Sequence, residues 1–438
     1  MTDRRWPRPA RTVWDRVWDA VWDSLYFIPA LYVLVALALS AGLLRWDEAD
    51  PITLARSVSA SSASSALSAL GSGMLAFTGF VTSVILMVIR LGSSQFSPRF
   101  VAWIRRDATL KFALSTFSAT FVFALASTAQ IGRGNAAFVP SRTLIAALLL
   151  ALLSIAMFLA LIDRTSNGLR VAYGIQSIDS KARQAFDAVY PTAASDVAAQ
   201  ATARSLNGLT PAQTVRQGPL GSVVVAVDRT GLAIVAERYG TVIELVPAPG
   251  DYVPAGGALL NVYGSRQLPE RRLRRRVEFG DERRIDDDPA FAIRMLVDIA
   301  IKALSVNDPT TAVQSLDRIE DLLRYAAPKH LSVGIITDGH GAVRLVYPAP
   351  AWDDLVELAF DEIRSLGAGQ YQVARRLRAL LDALIADVPQ KRRPALVEQR
   401  RLLDDAVASA IPQSQRAAAL VPDRQGIGMS RRPPVAGR

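Results

Sequence analysis

SVSASSASSALSALGSGMLAFTGFVTSVILMVIRLGSSQFSPRF, residues 57–100, decides how this chain folds. No Asp, Glu, Lys, Arg or His occurs in it before Arg90. At about 1.5 Å per helical residue, the uncharged part would be about 50 Å long, well beyond the roughly 30 Å of hydrocarbon that a membrane helix crosses. Some of it must therefore tilt, bend near Gly71 and Gly73, or protrude, and the serine-rich start is the part expected to protrude. Three more uncharged runs of about spanning length surround it, at residues 25–44, 112–132 and 143–162. The fold class that follows is an α-helical multi-pass membrane domain of four spans, residues 25–163, followed by an α+β cytoplasmic domain.

Within the second run Ala60, Ser64, Ser68, Ser72 and Ala76 recur every four residues, flanked by Ser61, Ser65, Ala69 and Gly73. Small residues at that spacing let another helix approach closely, which predicts a helix-packing face; a hydroxyl-lined pore is the alternative. The run's end predicts a corner. Pro98 disfavours helical geometry at Ser97, and the pair suits the cap and first position of a new helix. Ser94, Gln95, Ser97, Pro98 and Arg99 form the candidate functional corner, either capping and packing or a polar collar at the mouth of a site.

Orientation follows from basic residues in short loops. Arg4, Arg5, Arg8, Arg11 and Arg16 precede the first run, and Arg90, Arg99, Arg105, Arg106 and Lys111 follow the second. Only Arg45 and Arg56, then Arg133 and Arg142, flank the runs on the other side. Both termini are therefore expected in the cytoplasm. Residues 1–24 carry Trp14, Trp18 and Trp22 one helical turn apart, the pattern of an amphipathic helix at the headgroup layer or packed on its own protein. A cleaved leader would use Ala36-Leu37-Ala38, but the run is longer than the apolar core of such leaders.

Composition narrows the chemistry. The 438 residues carry a formal charge of +10, no cysteine and two histidines, so disulfides, thiolate metal sites and cysteine nucleophiles are excluded. No Asp, Glu, Lys, Arg or His lies inside the four runs, which argues against ion-coupled transport and leaves a passive oligomeric channel open. No phosphate-binding glycine loop, serine-hydrolase elbow or metalloprotease pattern occurs. The expectation is a protein that is not an enzyme, with no catalytic residue, metal or cofactor.

After a helical connector at residues 164–220, the stretch 221–265 reads as a small β-rich module, with strands at 223–227, 241–246 and 258–263 and a short helix at 229–239. It resembles half of a lipoyl- or biotinyl-type sandwich, yet no Lys occurs between Lys181 and Lys302 to carry such a group. Residues 266–410 read as an α+β helical domain and 411–438 as a disordered tail. The arginines of 266–276 face the acids of 277–288, which predicts an ion-pair network rather than phosphate binding. Asn307, Asp308, Pro309 and Thr310 form a candidate cytoplasmic turn: a cap and first-turn proline, or a small anion or metal site. His340 falls in a hairpin turn at 338–341, and His330 lies near a strand start.

LGSSQFSPRF with the basic segment and Asp107 after it, GDYVPAGGALLNVYG, and DDDPAFAIRMLVDIAIKALSVNDPTTAVQSLDRI together resemble a bacterial family of predicted membrane proteins, domain of unknown function 2254. The resemblance runs from the first span to about Leu380 and implies multi-pass location in a bacterial inner membrane, with no activity attached. Two readings of function remain: a non-enzymatic membrane-anchored scaffold or sensor, and an oligomeric passive channel gated by its cytoplasmic domain. The lipid bilayer and further copies of the chain are the expected partners, nucleic acid is not, and the protein partner is unknown.

Overall fold

The computed structural model describes residues 27–49, 60–95, 108–131, 141–168, 171–190, 209–280, 283, 285, 288–331 and 334–429. The chain divides into two compact units at residues 170/171.

The first unit holds four helices, α1 (Phe27–Ala49), α2 (Ala60–Gln95), α3 (Ala108–Ile131) and α4 (Ser141–Gly168). All four are long and apolar enough to cross a membrane, as the uncharged runs predict. Their outward faces keep Leu34, Phe80, Met87, Leu148 and Leu159 exposed, the arrangement lipid favours over water. α3 is the hub and packs against the other three. Phe77 of α2 meets Phe117 of α3 and Phe158 of α4 edge-on, with ring centroids 5.2 and 4.8 Å apart. A second cluster joins Ala36, Leu67, Ala119, Phe123 and Ala147, one or more from each helix.

α2 is helical through Gly71 and Gly73, so the excess length is not absorbed by a break there. Its inner face is Ala63, Leu67, Met74 and Val81, with Gly71 at closest approach: a Cβ there would lie 3.6 Å from that of Ala124. The predicted packing line is displaced by about one residue from this face. Ser68, Ser72 and Ala76 are exposed, as are Ser61, Ser65, Ala69 and Gly73. Ala63, Leu67, Gly71 and Met74 take the inward positions, leaving Ser68 and Ser72 outward. Ser72, Thr82 and Ser83 bond back to carbonyls of their own helix, which lowers the cost of an outward hydroxyl.

The second unit begins with α5 (Val171–Val189). A five-stranded sheet runs in the order β1 (Gln213–Arg216), β5 (Ala258–Tyr263), β3 (Val242–Leu245), β8 (Val343–Tyr347), β7 (Gly334–Thr337). A three-stranded sheet runs β4 (Tyr252–Val253), β2 (Ser222–Val227), β6 (Val277–Gly280). The predicted strands are present, but 221–265 is not closed on itself: β3 pairs in parallel with β8, and β2 pairs with β6. Hydrogen bonding across the sheet, invisible to local pattern, takes the strands over the boundary expected at residue 265. α6 (Arg229–Tyr239) and α7 (Glu270–Arg274) lie among these strands in sequence.

Helices α8 (Pro289–Ser305), α9 (Pro309–Ala326), α10 (Trp352–Gly367), α11 (Tyr371–Asp387) and α12 (Arg393–Ala410) complete the unit. Their apolar stripes and those of the sheets share one core that includes Leu245, Leu296, Leu322, Trp352, Phe360 and Leu380. Residues 411–429, expected in a disordered tail, are ordered: α13 (Gln413–Ala419) is followed by a turn folded around buried Asp423. That carboxylate accepts from the N–H groups of Gln425, Gly428 and Met429, while Arg375 donates to the Ala418 carbonyl. One acid paired with local N–H groups holds a segment whose composition alone reads as loose.

Candidate functional site

Lipid offers a buried polar group no hydrogen bonds, so each one inside the helix unit has to be accounted for. Two hydroxyl pairs cross between helices: Ser40 of α1 lies 2.8 Å from Ser127 of α3, and Thr120 of α3 lies 2.9 Å from Ser154 of α4. Ser115 and Thr116 donate back to Lys111 and Phe112 carbonyls on their own helix. The two ends of this seam carry charge. Lys111 is buried at the start of α3, and Asp47, 1% exposed, is buried near the end of α1.

Asp47 has the clearest geometry. Its carboxylate accepts from the Arg142 and Thr143 backbone N–H groups at 3.1 Å each and from the Thr143 hydroxyl at 3.0 Å. The first turn of α4 is thereby capped by a side chain from α1, doing between helices what an N-cap residue does within one. The Arg142 guanidinium sits 3.4 Å from the same carboxylate, donates to the Trp46 carbonyl and lies over the Trp46 ring at 4.8 Å. A negative charge at a helix N-terminus and a cation beside it are each favourable. Sequence reasoning missed Asp47 because the uncharged run stops at Leu44. Asp47 follows the buried stripe Ala36, Ser40, Leu44 by three residues, but the four-residue step of that stripe points to Glu48, so spacing alone does not pick Asp47 out.

Of the candidate corner, Ser94 and Gln95 close α2, consistent with a helix that stops before Pro98; Ser97, Pro98 and Arg99 lie outside the described residues, as does the amphipathic segment 1–24. The candidate turn is fully described. Asn307 takes a left-handed conformation, φ 58°, the Asp308 N–H bonds to the Ala303 carbonyl at 2.9 Å, and the Asn307 N–H to that of Leu304 at 3.1 Å. This is the Schellman ending of α8. Asp308 then caps α9 by accepting from the Thr311 N–H at 3.1 Å, with Pro309 in the first turn. Thr310 is exposed beside it. Asn307, Asp308 and Pro309 together end one helix and start the next.

In the second unit the charged groups form ties rather than a cleft. Asp187 accepts from Lys329 and the Tyr325 hydroxyl at 2.6 Å each; burial pushes its carboxyl up, but those donors outweigh it and hold it below the usual range. Asp288 caps α8 through Phe291 and pairs with Arg283 at 2.6 Å, and burial raises its carboxyl against the pull of Arg283. Of the ion-pair network expected between 266–276 and 277–288, Asp281, Glu282, Asp286 and Asp287 lie outside the described residues; among the described ones Arg276 pairs with Asp228, and Arg274 with Glu270. β2 pairs with β6, which brings Asp228, just after β2, beside Arg276. His330 and His340 are exposed, and no group of three potential metal ligands occurs among the described residues.

The family model described as "Predicted membrane protein", domain of unknown function 2254, matches residues 22–383. The chain belongs to this family. The family match takes in all four apolar helices, the candidate corner and turn, and Asp47, and ends within α11. Uncharacterized proteins of Mycobacterium tuberculosis (strain H37Rv) and Mycobacterium bovis are 28% identical over 345 residues, 75% of this chain and 65% of theirs. The chain thus spans just under two thirds of the length of these relatives. No solved structure matches the chain.

Proposed function

We infer that this family member is a multi-pass protein of a bacterial inner membrane, with both termini cytoplasmic. Its four helices act as an anchor, and its C-terminal unit is a non-enzymatic scaffold or sensor that binds a protein partner. The observation that carries this reading is the commitment of the buried polar groups in the helix unit. Ser40, Ser127, Thr120, Ser154 and Asp47 all join one helix to another. A bundle whose polar groups are spent in holding it together is built to stay fixed rather than to pass a solute. Sidedness rests on the arginine-rich flanks of the runs. Neither cofactor nor nucleic acid enters this reading.

A second reading, the oligomeric passive channel gated by its C-terminal unit, is favoured by the outward Ser61, Ser65, Ser68 and Ser72 of α2. Small-residue faces bring helices of neighbouring copies together, and their hydroxyls could then line a shared axis. The mass of the purified complex in lipid nanodiscs, together with ion flux in liposomes, separates the two. A ring with flux selects the channel; a monomer or dimer without flux selects the anchor. Reporter fusions after residue 162 and at the C-terminus check sidedness, and activity of a periplasm-only reporter at either point would overturn it.

A further inference from the structure

We propose that the second unit carries a docking surface for anionic lipid headgroups, formed by the Pro219–Leu220 loop, Tyr252 to Gly256, and the arginines of β1 and α7. Leu220 is 79% and Tyr252 67% exposed, the former the most exposed large apolar residue described. The fold makes them neighbours. Antiparallel pairing of Ser222 with Val253 sets the two segments side by side, and Gly221 leaves the space into which the Tyr252 phenol lies. Gln217 donates to the Leu220 carbonyl at 3.1 Å, fixing the loop. Pro219, Pro254 and Ala255 are also exposed. Leucine and tyrosine held out on two short turns suit the boundary between headgroups and acyl chains.

The charge beside them is complementary to such a surface. Arg216 is exposed and donates to the Gly256 carbonyl at 3.0 Å, and Arg274 donates to the Arg216 carbonyl and reaches Gly218. On α7, Leu273 is buried while Arg271 and Arg272 are exposed. Arg271 and Arg272 form no ion pair among the described residues. Among the described residues the carboxylates in the vicinity are Glu270, paired with Arg274 at 3.0 Å, and exposed Asp251, whose side chain accepts from the Ala248 N–H at 2.8 Å. Among the described residues, the four arginines of β1 and α7 against two carboxylates favour an anionic surface, and the attraction acts within a Debye length of about 8 Å at physiological salt. Exposed apolar residues beside the arginines distinguish a lipid from a purely phosphate-bearing partner: a polynucleotide would use the charge and leave Leu220 in water.

Because the chain has no cysteine, Leu220→Cys gives a single labelling site for an environment-sensitive fluorophore in the full-length protein. The labelled protein is placed in nanodiscs of phosphatidylcholine alone or mixed equally with phosphatidylglycerol. In the anionic discs the emission shifts to the blue and is quenched several-fold by lipids brominated in the acyl chain. Raising salt, or the double substitution Arg271→Gln and Arg272→Gln, returns it toward the neutral-disc value. A label at Leu366, on α10, stays unchanged throughout. Equal signals in the two lipids, or a response to added polynucleotide but not to phosphatidylglycerol, would overturn the proposal; the salt series needs no further substitution, so a misfolded variant does not decide it.

Discussion

Replacing Asp47 by alanine removes the acceptor of three hydrogen bonds that hold the first turn of α4 to α1. Loss of a helix cap costs about 1 kcal/mol, and a buried donor left without a partner about 1–3 kcal/mol. Interhelical bonds in membrane proteins average near 0.6 kcal/mol, because the separated helices also find partners. Arg142, at 14% side-chain exposure, can turn to water, so the full penalty of an orphaned buried charge does not apply. The sum for Asp47→Ala is about 2–4 kcal/mol, and about 1 kcal/mol for Asp47→Asn, which keeps one oxygen to accept. Reversible unfolding of the full chain in mixed detergent micelles measures this, with Arg45→Ala, an exposed neighbour, as reference at under about 0.5 kcal/mol. Thr143→Val tests the partner side: its cost and that of Asp47→Ala overlap rather than add, because they remove the same bond. If Asp47→Ala costs no more than Arg45→Ala, or the two partners add fully, Asp47 does not pin these helices.

Three further outcomes follow from the second unit. Asn307→Gly leaves stability unchanged or raises it slightly, whereas Asn307→Val costs about 1–2 kcal/mol, both read by denaturant unfolding; a large loss with glycine would show that the Asn307 side chain does more than tolerate the left-handed turn. Gly334→Ala should destabilise by about 1–3 kcal/mol, since its Cβ would overlap the Tyr347 ring, which is buried and anchored to the Val189 carbonyl at 2.9 Å; an unchanged midpoint contradicts that packing. Asp187 ionises below the ordinary carboxylate range when folded, so its tie to Lys329 and Tyr325 contributes fully above the unfolded value and is lost as pH falls through the folded one. The stability gap between wild type and Asp187→Asn therefore closes on acidification, and a gap that widens below pH about 4 would reverse the sign argued here.

Sequence alone determined the four apolar helices, because lipid-soluble length is a local property: about 20 uncharged residues suffice to identify each one. It also offered the cap at Asp308 and the hairpin turn at 338–341, since each is satisfied within a few residues. Only the tertiary structure decided which face of α2 is inside, because the serine line and the Ala63, Leu67 and Met74 line differ by about one residue and both read as plausible seams. The same holds for the parallel partnership of β3 with β8, for Arg276 meeting Asp228, and for Asp47 capping α4 from 95 residues away. Those contacts join groups far apart in the chain, and no periodicity or spacing records a partner that only folding brings near.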